Sequence, residues 1–407
     1  MKTRTLSIIL VIGFIVICAT RGIADNFDWP RWRGPNGDGI SQETDWNPEA
    51  LNGGPKILWK KDIGLGHSNV AFKDNRLYTS GGNTLYCLNT ETGEMIWQNS
   101  LKQFADFYST PTIDGKYVYT ISRKGVLFCV KAKNGTIRWE RELVDEFETE
   151  EIIWGYCSSP VIEGDLIILN INTAGVGLDK KTGELIWKST VHTDKINSEG
   201  YHATPVLYNF EGKRCALLFS GAGLSSVNVK TGEKLWYYEW FDPSTTNTAD
   251  PIVTEYRVFI SNKSAVLGGV MLDISGEKPT VVWKNKNIKN HFSSSVLVDG
   301  HIYGCKAPVE RYDKLRCAEW KTGDIVWERE MRGVSLMSAN GKLIMLNENG
   351  ILYIAEATPS SYQEISSCDV LEGERKQRQF WTPPVLYRGK IYCRNFHGDL
   401  VCIDVSK

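Results

Sequence analysis

Short apolar runs alternate with polar positions along most of the chain, and turn dipeptides interrupt them every few residues. Residues 109–142, "STPTIDGKYVYTISRKGVLFCVKAKNGTIRWERE", show the unit. Asp114-Gly115, Lys124-Gly125 and Asn134-Gly135 separate runs rich in Val, Ile, Tyr and Phe. Alternation between such dipeptides predicts strands joined by hairpins. Four runs make one antiparallel meander.

The unit recurs. "LYCLNTETGEMIW" ends at Trp97, "LFCVKAKNGTIRW" at Trp139, "VGLDKKTGELIW" at Trp187, "SSVNVKTGEKLW" at Trp236 and "LRCAEWKTGDIVW" at Trp327. A glycine stands four residues before each Trp: Gly93, Gly135, Gly183, Gly232 and Gly323. A looser copy with an insertion, "VMLDISGEKPTVVW", ends at Trp283. With Trp59, the spacings are 38, 42, 48, 49, 47 and 44 residues. Such a period marks a repeat architecture. A lone four-stranded meander exposes two faces and two edges, whereas radial stacking buries the faces.

Units begin near His67, Tyr108, Tyr156, His202, Thr248, Phe292, Ser335 and Trp381. The seventh lacks the Trp signature. The eighth ends one strand short, and the unclaimed "PKILWKKDI" (residues 55–63) carries Trp59. The prediction is all-β: an eight-bladed β-propeller of four-stranded antiparallel blades over residues 55–407, its ring closed by residues 55–63.

Two segments precede the propeller. Lys2 and Arg4, an apolar run over residues 6–19 and the small-residue site Gly22-Ile23-Ala24 describe a secretory signal over residues 1–24. The run is short for a membrane span, and an uncleaved anchor is the alternative. Ile17 before Cys18 does not suit lipid attachment. Residues 25–54 form an extension containing "DWPRWRGPNGDGIS". Pro30 and Pro35 deny helix, and Trp29 and Trp32 are costly to leave in water. A clasp between first and last blades, or a lid over one face, satisfies both. The alternative is a ligand role for Arg31 or Arg33.

Without Lys2, Arg4 and Arg21 the mature chain has 44 basic and 48 acidic residues, a net charge of −4. That is not the basic excess of a nucleic-acid binder. No further apolar run is long enough for a bilayer, and a monomer is expected.

The spacing A-x-D-x-x-T-G-E-x-x-W resembles the tryptophan-docking motif of pyrroloquinoline-quinone-type propellers. That superfamily includes quinoprotein alcohol dehydrogenases and the propeller lipoprotein of the outer-membrane β-barrel assembly complex. The resemblance covers residue 55 to the C-terminus. It implies that Trp59, Trp97, Trp139, Trp187, Trp236, Trp283 and Trp327 lie flat between blades, on a small first residue and a glycine peptide. It is strong evidence of fold and weak evidence of activity.

Nine cysteines remain after the leader, an odd number. Cys87, Cys129, Cys317 and Cys402 stand at the small first position of the motif, where Gly177 and Ser226 serve in other units. They act as small apolar filler. A bridge within Cys305/Cys317 or Cys393/Cys402 is open as an alternative. No CxxC pair, CxxCH haem site, GxSxG elbow, HExxH or Walker loop occurs. Clustered acids over Asp145, Glu146, Glu148, Glu150 and Glu151 lack EF-hand spacing and are expected to form a solvated loop.

In a propeller the inner strands begin around one mouth of the central channel. His67, Tyr108, Tyr156, His202, His291 and Trp381 occupy those starts and are the candidate ligand-binding residues, with Asp250 and Phe292 beside them and His192 in a loop leading in. The long loops at 144–154 and 191–200 enter the same face. The expected role is that of an exported, periplasmic or secreted, non-catalytic binding or scaffold protein for a protein partner or small ligand, without cofactor. The alternative is a diverged quinoprotein-type oxidoreductase acting on an alcohol or sugar with pyrroloquinoline quinone and Ca²⁺. Against it, the chain lacks the adjacent cysteine pair that those enzymes place over the quinone.

Overall fold

The computed structural model describes residues 27–101, 107–147, 152, 154–171, 174–191, 202–243, 246–306, 313–371 and 378–407. The signal-peptide expectation, His192 and the acids Glu148, Glu150 and Glu151 lie outside them.

Eight antiparallel sheets follow one another along the chain. Blade 1 runs from its inner strand Ala71–Lys73 through Arg76–Gly81 and Thr84–Asn89 to its outer strand Met95–Ser100. Inner strands of blades 2 to 8 begin at Thr112, Val161, Val206, Ile252, Val296, Val334 and Val385. The sequence period therefore gives the eight blades expected. The outer strand of blade 8 is Ile57–Asp62, paired antiparallel with Asp399–Asp404 through Trp59 opposite Cys402. First and last segments thus share one sheet. The only helix among the described residues is Leu143–Phe147.

The blades are joined by their tryptophans. Cys87 faces Trp97, Cys129 faces Trp139, Gly177 faces Trp187, Ser226 faces Trp236 and Cys317 faces Trp327 across one strand pair. Each indole then reaches the next blade. A Cβ on Gly93, Gly135, Gly183, Gly232 or Gly323 would come within 2.5–2.9 Å of Trp59, Trp97, Trp139, Trp187 or Trp283 respectively. No side chain fits between ring and peptide. The same glycines hold positive φ, which a β-carbon disfavours. Most indoles also donate across the gap: Trp59 to Thr90 O, Trp97 to Ala132 O, Trp187 to Val229 O, Trp283 to Trp320 O and Trp327 to Thr358 O, all at 2.8–3.1 Å.

The irregular blades show what the motif does. The insertion after Gly276 removes the glycine peptide from Trp236, and Trp236 Nε1 has no hydrogen-bond partner. Trp139 Nε1 is also unpartnered; the Lys180 carbonyl at that place accepts from Tyr119 Oη instead. In blade 7 Ser366 stands opposite Ile354 where the other blades have Trp. Its hydroxyl donates to Pro48 O. The extension supplies the missing bulk, because Trp46 and Leu51 are buried in the cluster that joins blades 7 and 8.

All nine described cysteines are free thiols. Cys317 faces Tyr303 rather than Cys305, and Cys393 faces Val401 rather than Cys402. The bridges held open above do not form, because neither pair shares a register position. Burial pushes the Cys87, Cys129 and Cys317 thiols up to about 11 and Cys402 up to about 12. They stay protonated, as filler requires.

Gly232→Ala should destabilise the disc by about 2 kcal/mol or more, from left-handed strain and overpacking together. Gly276→Ala, whose Cβ would meet only Lys278 O at 3.9 Å, should be near neutral. Denaturant unfolding of the two variants checks this; equal losses would mean that the indole–glycine contact is not what resists substitution.

Candidate functional site

The approaches to the inner strands share a short pattern. Pro111, Pro160, Pro205, Pro251 and Pro384 immediately precede inner strands. One residue earlier stand Thr110, Ser159, Thr204 and Asp250, joined at the same offset by Asn69 and Ser294. Their side chains form a belt around the channel. Asn69 N–H donates to Thr110 Oγ1, Thr110 N–H to Ser159 Oγ, Ser159 N–H to Thr204 Oγ1, Thr204 N–H to Asp250 Oδ1, and Asp250 N–H to Ser294 Oγ, at 2.7–3.2 Å. Each link passes from one blade to the next and satisfies a buried N–H that no ladder reaches. Sequence reasoning missed the belt, although the Ser/Thr/Asp-Pro dipeptides were its signal.

The extension threads the channel from the face opposite the inner-strand starts. Trp29 makes an antiparallel bridge to Phe72, Ile113 N–H donates to Pro30 O, and Ile40–Ser41 pairs parallel with Ser338 and Ala339 of blade 7. These contacts cover inner edges that would otherwise be open. Glu43 accepts from the Arg388 and Gly389 N–H groups at the blade 8 turn. Trp32 and Arg33 form the tip. Trp32 Nε1 donates to Asp250 Oδ2 at 2.7 Å, and Arg33 Nε lies 3.7 Å from the same oxygen.

Arg33 also donates to Gly37 O, Asp38 O and Ser295 O, and Arg31 donates to Pro35 O. Both arginines are buried braces of their own loop. Burial lowers Arg31 to about 10 and also lowers Arg33. Burial pushes the Asp250 carboxyl up, and Arg33, the Thr204 N–H and the Trp32 indole oppose it.

Above this tip lies a cavity of about 400 Å³. His67, Tyr108, His202, His291 and Trp381 line it, so five of the six candidates come together. Tyr156 does not. It is 2% exposed, donates its N–H to Arg123 O and packs among Tyr119, Leu143 and Ile167. In seven of the eight blades the position four residues before the inner strand, namely His67, Tyr108, Cys157, His202, Thr248, Phe292 and Trp381, faces the cavity; in blade 7 that position, Glu330, does not line it. Tyr156 is five before, as is His291, which does line the cavity, so the offset alone does not decide the outcome; the Tyr156 ring is held in the core by its packing against Tyr119, Leu143 and Ile167. Counting back from the proline would have selected Cys157.

One wall is a stack of rings. Trp381 lies between His67 (centroids 4.9 Å, 7°) and Phe292 (4.4 Å, 12°). Tyr108 meets His67 edge-on at 4.9 Å, and Phe396 lies against it at 4.8 Å. His67 is lowered to about 3 by burial first and then by Arg394, Arg123 and His397; His291 is lowered to about 3 by burial, Lys263 and His202. Both imidazoles are neutral at ordinary pH. Burial raises the Cys157 thiol to about 12. No poised nucleophile or general base faces the cavity among these groups.

Pyrroloquinoline quinone with Ca²⁺ does not fit this donor set. Ca²⁺ takes about 6–8 oxygen ligands. Among the described residues Asp250 is the one carboxylate on the wall, and both of its oxygens are committed. Among the described residues no group of three or more His, Cys, Asp or Glu side chains could hold a metal.

Eight four-stranded blades with indole–glycine docking define a propeller of the pyrroloquinoline-quinone-like repeat class. Within that class the chain belongs to the family described as outer membrane protein assembly factor BamB, which matches residues 49–199 and 106–329. It is similar to BamB of Yersinia pestis, 20% identical over 364 residues that cover 85% of this chain and 77% of that protein. In three dimensions it resembles BamB from Moraxella catarrhalis with a TM-score of 0.65, at 14% identity over 86% of this chain and 99% of that one. It also resembles the quinohemoprotein alcohol dehydrogenase of Comamonas testosteroni with a TM-score of 0.72, at 12% identity over 93% of this chain and 80% of that one. The two structural likenesses are likenesses of fold.

Two outcomes follow for the site. Asp250→Asn leaves Arg33 buried without its counter-charge and should cost about 3–5 kcal/mol. Arg33→Met in the same chain should return part of that loss, read as a double-mutant cycle in urea. For His67 the unfolded chain takes up a proton near 6.5 and the folded one only near 3. Stability is therefore lost as pH falls below 6.5. His67→Phe keeps the ring and removes the proton, so it should flatten the slope between these values by up to about 1.4 kcal/mol per pH unit. Parallel melting curves for both proteins would expose a failure.

Proposed function

We propose that this protein is an exported, non-catalytic binding or scaffold propeller that takes up a ligand or partner segment at the channel mouth. The carrying observation is the preformed aromatic cup whose floor is sealed by the chain's own Trp32 and whose one carboxylate among the described residues is spent on holding that floor. A cup of this kind offers contact surface without reactive groups. Membership of a family described as an assembly factor supports the scaffold role, and the leader pattern of residues 1–24 supports export to the periplasm or exterior. No helix of the described residues is long and apolar enough to cross a membrane. The dehydrogenase reading rests on fold likeness and is not favoured by the donor set.

A photo-crosslinking residue in place of Phe292, on the full chain in its own host, should give a defined adduct. The same residue at Glu94 or Glu184, in the turns of the opposite face, should give none. Adducts from the turns alone would place the working face on the wrong side. The same purified chain titrated with pyrroloquinoline quinone and Ca²⁺ should show no saturable change in the quinone absorption; a tight bound chromophore would restore the oxidoreductase reading.

A further inference from the structure

Five Asn-Gly dipeptides occur in the chain, at residues 36–37, 52–53, 134–135, 340–341 and 349–350. All five asparagines are exposed. An asparagine followed by glycine is a chemically weak point in water, because no side chain shields the glycine nitrogen from the asparagine amide. Its reaction depends on how freely that nitrogen can turn toward the asparagine Cγ. The fold treats the five very differently.

Three of the glycine nitrogens are tied. Gly37 N–H donates to Gly34 O at 3.1 Å, Gly135 N–H to Lys131 O at 2.8 Å and Gly350 N–H to Asn347 O at 2.9 Å. The same glycines are packed: a Cβ on them would come within 2.9 Å of Arg31, 2.5 Å of Trp97 and 2.7 Å of Phe380 respectively. Turning any of these peptides breaks a bond and unseats a side chain. Asn340 and Gly341 have open surroundings but form the two-residue link of a hairpin, with Ala339 paired to Lys342 directly beside them. Both are left-handed, at φ of 48° and 68°, and the strand Val334–Ala339 is held on its other edge by Ile40–Ser41. Rotation there works against a ladder on both sides.

Asn52–Gly53 is the exception. No described residue hydrogen-bonds to the Asn52 side chain or to the Gly53 N–H. A Cβ on Gly53 or Gly54 would meet nothing within 4 Å. A single bond closes the turn, Gly54 N–H to Leu51 O at 3.2 Å, and the next strand begins only at Ile57.

We propose that Asn52 is the site at which the folded protein deamidates, ahead of its four other Asn-Gly sites. The Gly53 nitrogen bonds to Asn52 Cγ and the C–N bond of the side-chain amide breaks; ammonia leaves with the proton from Gly53 N–H. One water then opens the cyclic imide at either carbonyl, giving aspartate or its β-linked isomer, and the new acid ionises. The product gains a negative charge, and the β-linked form also gains a main-chain atom. The change falls in the link between Leu51, fully buried among blades 7 and 8, and the strand Ile57–Asp62 that closes the ring.

The test keeps the purified full chain in warm, mildly alkaline buffer and maps it over time by mass spectrometry after digestion in acid. Conversion at Asn52 should be at least about tenfold faster than at Asn36, Asn134, Asn340 or Asn349. In guanidinium chloride the five rates should come within about threefold of one another, because the fold that separates them is gone. Asn52→Gln, a conservative change at an exposed position, should keep the melting curve and abolish the early acidic form seen by ion exchange. Comparable rates at Asn52 and any of the other four sites in the folded protein would overturn the proposal. So would a preference for Asn52 that persists in denaturant, since it would then come from sequence and not from the fold. An early acidic form that persists in Asn52→Gln would overturn it as well.

Discussion

An indole laid on a glycine peptide holds this molecule together. Each blade alone is a small sheet with two exposed faces, and it gains stability only from its neighbours. The docking Trp covers the face of its own blade over a small first residue and reaches the next blade's turn. There the left-handed glycine offers a flat surface with no side chain. The indole N–H then closes a hydrogen bond to a carbonyl of that blade in five of the seven cases. Burial, shape and a directional bond are thus satisfied by one residue type. Where the partner is missing, the chain compensates, as Trp46 and Leu51 do beside blade 7.

Docking at the outer strands leaves the centre unsolved. Inner strands converge on a channel where edge groups face one another across a gap. Here the gap is closed by two devices. The belt carries backbone N–H groups of blades 1 to 5 to side chains of blades 2 to 6, and the extension fills the middle and pairs with blade 7, which the belt does not reach. Asp250 belongs to both. Where the other belt positions are neutral, its carboxylate serves Thr204 on one side and Trp32 with Arg33 on the other.

That arrangement gives the mouth its character. The Asp250 carboxylate is spent on structure, burial holds the His67 and His291 imidazoles neutral, and the rings are stacked in advance. What remains is a largely aromatic cup. Membership of a family described as an assembly factor supports the scaffold role proposed for it.

The tryptophan period, read together with the strand and turn signals of the units that lack the Gly-x-x-x-Trp spacing, was enough to determine blade number, docking residues and ring closure through Trp59, because these depend on local strand signals repeated at a near-constant interval. Five of the six channel residues were also legible, since inner-strand starts converge in any closed propeller. Tyr156 was misplaced: its ring packs in the core between blades 2 and 3, while its neighbour Cys157 faces the cavity. The filling of the channel by Trp32 and Arg33, the pairing with Asp250 and the belt were decided only in three dimensions. Trp32 and Asp250 lie 218 residues apart. No local preference encodes such a contact, because it exists only once eight blades have closed around a common axis and left one cavity for the extension to enter.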